Sequence, residues 1–403
     1  MEETIRGSAN PALIARPLPP APDVPAEDLA DRLKRVREEM DKAHLDVIVL
    51  SDRKNIEYFT GFQTLSWFYK ARPVLGLVTA KDIFVVASKG EATLIGLKPR
   101  NFTPKYFDGY LVDAVALLSE TIRSSTSGTQ PRIGLDYGQD MVGFGSLELV
   151  DALRDLSANG KLQSAAPTLW KVRLIKSAFE AGLKRTAFSI VNNAFDSTIK
   201  HAYIGMPEYE LSQLMQAQSF LNGADSVDPT PLIFSKGDFA YGRAAGDRKL
   251  EEGHYVWTDF RATYGGYPAD RNRIARAGEP AKWEQDVWSA VLGLTHDLCR
   301  SVRPGMTCAE LFANYKKSWA ELKVGDTWAG VSRIGHGGGL DTTEPPSLSA
   351  TDQEVIRPGM ILHIEPKLER DGAVFQFEEV IHVLDDGVEF LTPLCPEQIP
   401  VIR

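Results

Sequence analysis

A chain of 403 residues has room for two or three ordinary domains. Hydrophobic residues make up 43% and charged residues 25%, the balance of a soluble globular protein, and a net charge of −9 without a long basic run argues against a nucleic-acid surface. No apolar stretch approaches a membrane span. The opening Met1-Glu2-Glu3 lacks an apolar signal core, and Cys299, Cys308 and Cys395 are too few and too irregular for a disulfide framework, so buried, reduced thiols in a cytoplasmic protein are expected.

Residues 1–25 carry Pro11, Pro17, Pro19, Pro20, Pro22 and Pro25 among alanines and read as an extended arm that packs on something or stays mobile. From residue 26 to 170 the pattern is that of an α/β domain. Asp28 to Lys42 is an amphipathic helix with Leu29, Leu33, Val36 and Met40 on one face. Asp46–Leu50, Val74–Val78 and Asp82–Val86 read as buried strands. A helix near Ala114–Ser124, a strand at Arg132–Leu135 and a helix at Leu147–Leu156 follow.

Residues 171–403 form a second, larger domain. Ser177-Ala178-Phe179-Glu180 is a capping box that starts a long helix to about Ala202. A second helix follows Pro207, a third runs from Trp283 to Val302, and a fourth starts at Thr307 with Glu310 in capping position. Gly205-Met206-Pro207-Glu208-Tyr209-Glu210-Leu211 and Gly305-Met306-Thr307-Cys308-Ala309-Glu310-Leu311 agree at Gly, Met, Glu and Leu. Each copy joins a long helix to a shorter one and is followed by strands and an acidic hairpin, which points to a duplicated unit.

Those hairpins carry the chemistry. Glu365 and Glu378 are equidistant from Asp371-Gly372, a preferred two-residue type I′ turn. The flanks Met360–Glu365 and Val374–Val380 read as strands, so the two glutamates should face each other on one side of the sheet. Asp259 and Asp270 are equidistant from Tyr264-Gly265 and should face each other too. The turn signal is weaker there, and the glycine pair Gly265-Gly266 suggests a wider loop or a bulge. Between the hairpins stands His336, flanked by glycines.

Opposed like charges destabilise a sheet, and four gathered carboxylates would have raised pKa values unless cations lay between them. Four carboxylates with one imidazole and no thiolate make an oxygen-rich site. Such a site suits Mn²⁺, with Fe²⁺, Co²⁺ or Zn²⁺ as alternatives. Five side chains, several able to bridge, are too many for one ion and comfortable for two. A pair of ions about 3.5–4 Å apart can share a hydroxide nucleophile and polarise a carbonyl.

These stretches resemble the pita-bread metallopeptidase superfamily, in its aminopeptidase P, prolidase and creatinase branch. Val256-Trp257-Thr258-Asp259-Phe260 through Gly266-Tyr267-Pro268-Ala269-Asp270-Arg271-Asn272-Arg273 is similar to that superfamily's first metal hairpin. Gly335-His336-Gly337-Gly338-Gly339, with Glu344-Pro345-Pro346, is similar to its histidine loop. Arg357-Pro358-Gly359-Met360-Ile361-Leu362-His363-Ile364-Glu365-Pro366 is similar to its first glutamate strand, and Glu378-Glu379-Val380-Ile381-His382-Val383 to its second. The similarity covers about Trp170 to the C-terminus, and the N-terminal α/β domain resembles the extra domain of this branch.

The resemblance implies an α+β pita-bread catalytic domain behind a creatinase/prolidase-like α/β domain. It implies Asp259, Asp270, His336, Glu365 and Glu378 as ligands of two metal ions, and a homodimer. Glu365 and His336 become the catalytic candidates, Glu365 as ligand and proton shuttle. The implied activity is hydrolysis of a C–N bond in a small molecule or short peptide, in the manner of an Xaa-Pro peptidase. The alternatives are creatinase-like amidine hydrolysis, elimination as in dimethylsulfoniopropionate lyase, or a non-catalytic binding protein.

Two departures bear on the substrate. Thr343 stands where the peptidases have a second histidine. No histidine precedes Gly246-Asp247-Arg248-Lys249-Leu250, where Arg243 substitutes as a cationic donor or is a surface arginine. Arg261, two residues after Asp259 and on its face, reads a substrate carboxylate or pairs with another acid. Arg243, Arg261 and Thr343 are therefore the substrate-side candidates. Arg273 is expected to be structural. His363 shares the face of Glu365 and either supports the site or packs, while His44, His201, His254 and His296 are expected to lack acidic company.

Overall fold

The apolar runs near residues 47, 75 and 83 are short, β-branched and bounded by polar turns, and they become strands of one sheet in the computed structural model. That structure describes residues 16–126, 130–143, 145–229, 231–325 and 332–403. The part of the arm up to residue 15, Pro11 included, lies outside the described residues. The chain divides into two compact units, Asp23–Arg173 and Leu174–Arg403, with the described residues from Arg16 to Pro22 belonging to the latter.

The first unit holds strands β1 (Val47–Leu50), β2 (Leu75–Thr79), β3 (Ile83–Ser88), β4 (Thr103–Phe107), β5 (Ile133–Leu135) and β6 (Leu162–Ser164). They form one sheet in the order β4-β3-β2-β1-β5-β6. Its helices are α1 (Ala26–Lys42), α2 (Arg53–Thr60), α3 (Ala92–Gly96), α4 (Leu111–Ser125), α5 (Leu147–Leu156) and α6 (Ala166–Arg173). Helix α1 buries Leu29, Leu33, Val36 and Met40, the face its spacing set out. One core joins Val47, Val49, Leu75 and Leu77 to Leu118 and Ile122 of α4 and Leu149 and Leu153 of α5. Strand β4 contains Pro104, which hides it from a strand pattern, and it lies at the sheet edge, where a missing N–H is tolerated. Helix α2 is set by its ends: Asp52 accepts the Lys54 N–H, and Gly61 takes the left-handed conformation at φ 61°.

The second unit opens with α7 (Ala178–Ile199), whose Ser177–Glu180 capping box forms as expected, and α8 (Glu208–Leu221). Strands β7 (Ser226–Val227), β8 (Leu232–Ser235), β9 (Tyr255–Tyr264) and β10 (Tyr267–Ala277) follow, then helices α9 (Lys282–Ser301) and α10 (Cys308–Leu322). The chain closes with β11 (Arg333–Gly337), β12 (Glu344–Ser349), β13 (Ile361–Ile364), β14 (Lys367–Arg370), β15 (Ala373–Gln376), β16 (Glu379–Leu384), β17 (Gly387–Phe390) and β18 (Val401–Ile402). One sheet runs β18-β10-β9-β7, with β8 also on β9. A second runs β12-β11-β13-β16-β17, and β14-β15 is a separate hairpin. Their shared core includes Trp257, Trp288, Phe375 and Phe377, the last two-ring contact at 4.5 Å between Trp288 and Phe377. The arm's described end packs here, with Arg16 N–H donating to Leu221 O at 2.7 Å and Tyr264 OH donating to Pro19 O at 3.2 Å.

The echo at Gly205 and Gly305 is also an echo of backbone. Both glycines have positive φ, 95° and 92°. Gly205 N–H donates to Leu250 O and Leu250 N–H to Met206 O; Gly305 N–H donates to Ile356 O and Ile356 N–H to Met306 O. Isolated bridges pair Pro207 with Lys249 and Thr307 with Val355. Each half thus ties the loop between its helices to the segment that leads into its acidic strands.

Candidate metal centre

The first hairpin corrects the expected register. Tyr264 pairs with Tyr267 around Gly265-Gly266, whose φ values are 60° and 80°. A type I′ turn needs positive φ at both central positions, which glycine adopts freely and tyrosine does not, so the turn centres on the glycine pair. Asp259 therefore faces Asn272, and Asp270 faces Arg261. The displacement is two residues rather than the one that a bulge would give. Both aspartates keep the same face and become diagonal neighbours.

The second hairpin keeps its expected register. Asp371 and Gly372 take φ 50° and 84°, and Lys367 pairs with Gln376. The flanks are each broken, however, and Val374–Val380 is not one strand. Pro366 cannot donate to a ladder, and pairing resumes only between β13 and β16, where Ile364 faces Glu379. Glu365 and Glu378 sit opposite each other in the gap between the two ladders. His336 lies in a central strand, β11, between β12 and β13, and not in a loop.

Donor atoms of Asp270, His336, His363 and Glu378 all lie within 4.8 Å of one another, and the four residues are buried. His336 Nε2 is 3.5 Å from Asp270 Oδ2 and 3.6 Å from Glu365 Oε1. Its Nδ1 is 2.8 Å from the Gly337 carbonyl, which can only accept, so Nδ1 carries the proton and Nε2 presents a lone pair. A lone pair facing two carboxylate oxygens is repulsive unless a cation lies among them. Ligand atoms each about 2.1 Å from one ion are themselves about 3–4 Å apart, which matches these separations.

The electrostatics agree. Burial raises Asp259, and burial with Asp259 alongside raises Asp270 well above the usual carboxylate range. Burial and the Asp259 charge push Glu365 up to about 7, while burial and Asp270 raise Glu378 well above its ordinary value. Burial pushes His336 down to about 3, which keeps the imidazole neutral as a metal ligand must be. Among the described residues Asp270 Oδ1 accepts no hydrogen bond, and Arg261 Nε stands 3.7 Å from it as an ion pair. The four acids fit divalent cations in charge, and the spacing of Asp270 and Glu365 about His336 Nε2 fits one in geometry.

Several side chains hold the cluster in place. Glu378 accepts from Asn272 N–H at 2.6 Å and from His363 Nδ1 at 2.6 Å. The His363 ring stacks on His336 at 4.8 Å, so it supports the site rather than merely packing. Arg273 is structural, as expected: it donates to the Glu378 carbonyl and pairs with Glu379 at 3.4 Å. His296 does have acidic company, 3.6 Å from Glu379.

A cavity of about 300 Å³ opens beside the cluster and is lined by Asp259, Asp270, His336 and Glu365. Arg261 and Thr343 line it, as do Tyr241, Trp257, Arg333 and Lys367. Arg243 is not brought to it. Its guanidinium is held in a fork by buried Glu208, at 2.5 and 2.7 Å, which corrects its assignment to the substrate side.

Sequence reasoning missed Lys367, Gln376 and Lys184. Lys367 and Gln376 face each other two residues from Glu365 and Glu378, so strand alternation already puts them on the glutamates' side. Lys184 falls on the buried stripe of α7 with Ala181, Phe188 and Val191, an anomaly visible in the helical spacing. It donates to Pro268 O at 2.7 Å, and burial pushes its amine down to about 8.

Residues 183–385 match metallopeptidase family M24, and the chain belongs to that family of metal-dependent peptidases. Residues 32–175 match the creatinase/prolidase N-terminal domain. The Xaa-Pro dipeptidase of Pyrococcus horikoshii is 25% identical over 370 residues, covering 90% of this chain and 97% of that protein. An uncharacterized peptidase of Bacillus subtilis is 24% identical over the same length and coverage. Among solved structures, the Xaa-Pro dipeptidase from Bacillus anthracis superposes with a TM-score of 0.80 at 21% identity, covering 93% of this chain and 99% of that one. The prolidase from Pyrococcus furiosus gives 0.75 at 21% identity, covering 89% and 100%. The two-domain architecture is that of these prolidases.

Proposed function

We propose that this chain hydrolyses the amide bond of a short peptide of the Xaa-Pro type, using two divalent ions held by Asp259, Asp270, His336, Glu365 and Glu378, with Mn²⁺ the first candidate. The observation that carries the reading is the His336 Nε2 lone pair directed at Asp270 and Glu365, 3.5 and 3.6 Å away. Bound ions would supply an activated water and a polarised carbonyl. The chain's own residues do the rest. Glu365, with one oxygen anchored by Gln376 and the other turned toward His336, is placed to take a proton and hand it to the leaving nitrogen. Arg261 and Thr343, on the cavity wall, orient the substrate.

The names of the relatives favour peptide cleavage over amidine hydrolysis or elimination. A homodimer in the cytoplasm belongs to the same reading, and three buried, unpaired cysteines suit a reducing compartment. The experiment is release of proline from Ala-Pro and Gly-Pro by protein loaded in turn with Mn²⁺, Fe²⁺, Co²⁺ and Zn²⁺. Turnover that chelation abolishes supports the reading, and no turnover with any metal refutes it.

A further inference from the structure

Outside the proposed ligands, the charged side chains among the described residues lining the cavity are all cations: Arg261, Arg333 and Lys367. Two divalent ions would balance the four ligand carboxylates. The wall cations then remain. Two acids outside that lining offset two of the three: Glu369, 4.0 Å from Lys367 Nζ, and Asp228, whose charge acts on Arg261. The loaded cavity is left with a formal excess of about one positive charge in a partly desolvated space, where such a charge acts strongly.

Lys367 is not a sweeping surface lysine. It is buried, and its Nζ sits 3.4 Å from the centre of the Phe239 ring and 5.4 Å from that of Trp257. Its ammonium therefore has a fixed place two residues from Glu365. Arg261 is less enclosed, but pairing with Asp270 Oδ1 at 3.7 Å holds its guanidinium beside the cluster. An ammonium group on a substrate would meet no acid on the described wall beyond the ligands themselves, whereas a carboxylate would meet three cations.

We propose that the cavity selects small amides bearing more than one carboxylate, such as a dipeptide with an acidic side chain, and disfavours cationic ones, with Lys367 and Arg333 as specificity residues beside Arg261. This rests on the two-metal peptidase reading.

Two measurements on Mn²⁺-loaded protein test it. In calorimetric titrations, glutarate should bind about tenfold more tightly than its monoamide glutaramate. Lys367→Met should bring that ratio below about threefold, and Lys367→Arg should restore it. Arg333→Gln, at a half-buried site, gives a second reading should Lys367→Met not fold. In kinetics, KM should rise by about tenfold from Glu-Pro to Gln-Pro and further to Lys-Pro, with little change in kcat. Equal affinity for glutarate and glutaramate, or equal KM for Glu-Pro and Lys-Pro, overturns the charge selection and leaves the peptidase reading intact. A glutarate preference that depends on Lys367, without turnover of any dipeptide, supports the anionic subsite and refutes the peptidase reading.

Discussion

Gln376 Nε2 donates to Glu365 Oε2 over 3.0 Å, while Gln376 Oε1 accepts the Trp257 indole N–H at 2.9 Å. The amide has one orientation that satisfies both contacts, so Trp257 on the first hairpin's strand fixes the rotamer of Glu365 on the other half of the repeat. Glu365 Oε1 is thereby left facing His336. Gln376→Leu should lower kcat about 10–100-fold and orphan the buried indole N–H, at a cost of about 1–3 kcal/mol. Steady-state kinetics and thermal unfolding check both, and an unchanged kcat would contradict this role.

His336 contributes the one imidazole of the proposed ligand set, and its tautomer is fixed by Gly337. His336→Ala should weaken Mn²⁺ or Co²⁺ binding by on the order of a hundredfold or more while the circular dichroism spectrum persists. Equal metal affinity in calorimetric titration would remove this residue from the ligand set.

Arg273 is buried against Glu379, whose carboxyl, despite burial, is held below its usual range chiefly by that guanidinium. The same arginine donates to the Glu378 carbonyl. Arg273→Met leaves a buried acid without its principal partner and should cost about 3–5 kcal/mol, read as a lowered thermal midpoint. The acid's stabilising contribution is present above its unfolded pKa near 4.5 and fades as pH falls through the lower folded value, so the variant should lose less at acid pH than at pH 7. A deficit that is the same at both would refute the ion-pair origin.

Glu57 shows the opposite sign. Burial pushes its carboxyl from 4.5 up to about 7. Between those values the folded state keeps a proton that the unfolded chain has released, so stability falls as pH rises through this window. Glu57→Gln removes the penalty. It should stabilise by about 1–3 kcal/mol at pH 8 and hardly at all near pH 4.5. Thermal midpoints of both proteins across that range decide, and a gain independent of pH would contradict the assignment.

Much of this site was legible in the residues because strand alternation and turn chemistry are local. Asp371-Gly372 set the register of the second hairpin, and the capping boxes at Ser177 and Thr307 placed two of the four long helices. The first hairpin was misplaced by two residues because a glycine pair and a Tyr-Gly pair both look like turns, and only the demand for positive φ at both positions separates them. The glycines around His336 weaken its strand pattern, and the resemblance to a histidine loop gives no hint of strand β11. They are needed because close backbone leaves no room: a Cβ on Gly335 would lie 1.8 Å from the His363 carbonyl oxygen, and one on Gly337 2.1 Å from the Pro345 oxygen. Arg243 could not be placed from sequence, since its partner Glu208 is 35 residues away and buried by tertiary packing.

Anomalous diffraction from crystals soaked in Mn²⁺ bears most directly on the metal centre. The expected map shows two peaks about 3.5–4 Å apart, enclosed by Asp259, Asp270, His336, Glu365 and Glu378. No peak among these five side chains, with Glu365 and Asp270 still beside His336 Nε2, would contradict the two-metal assignment.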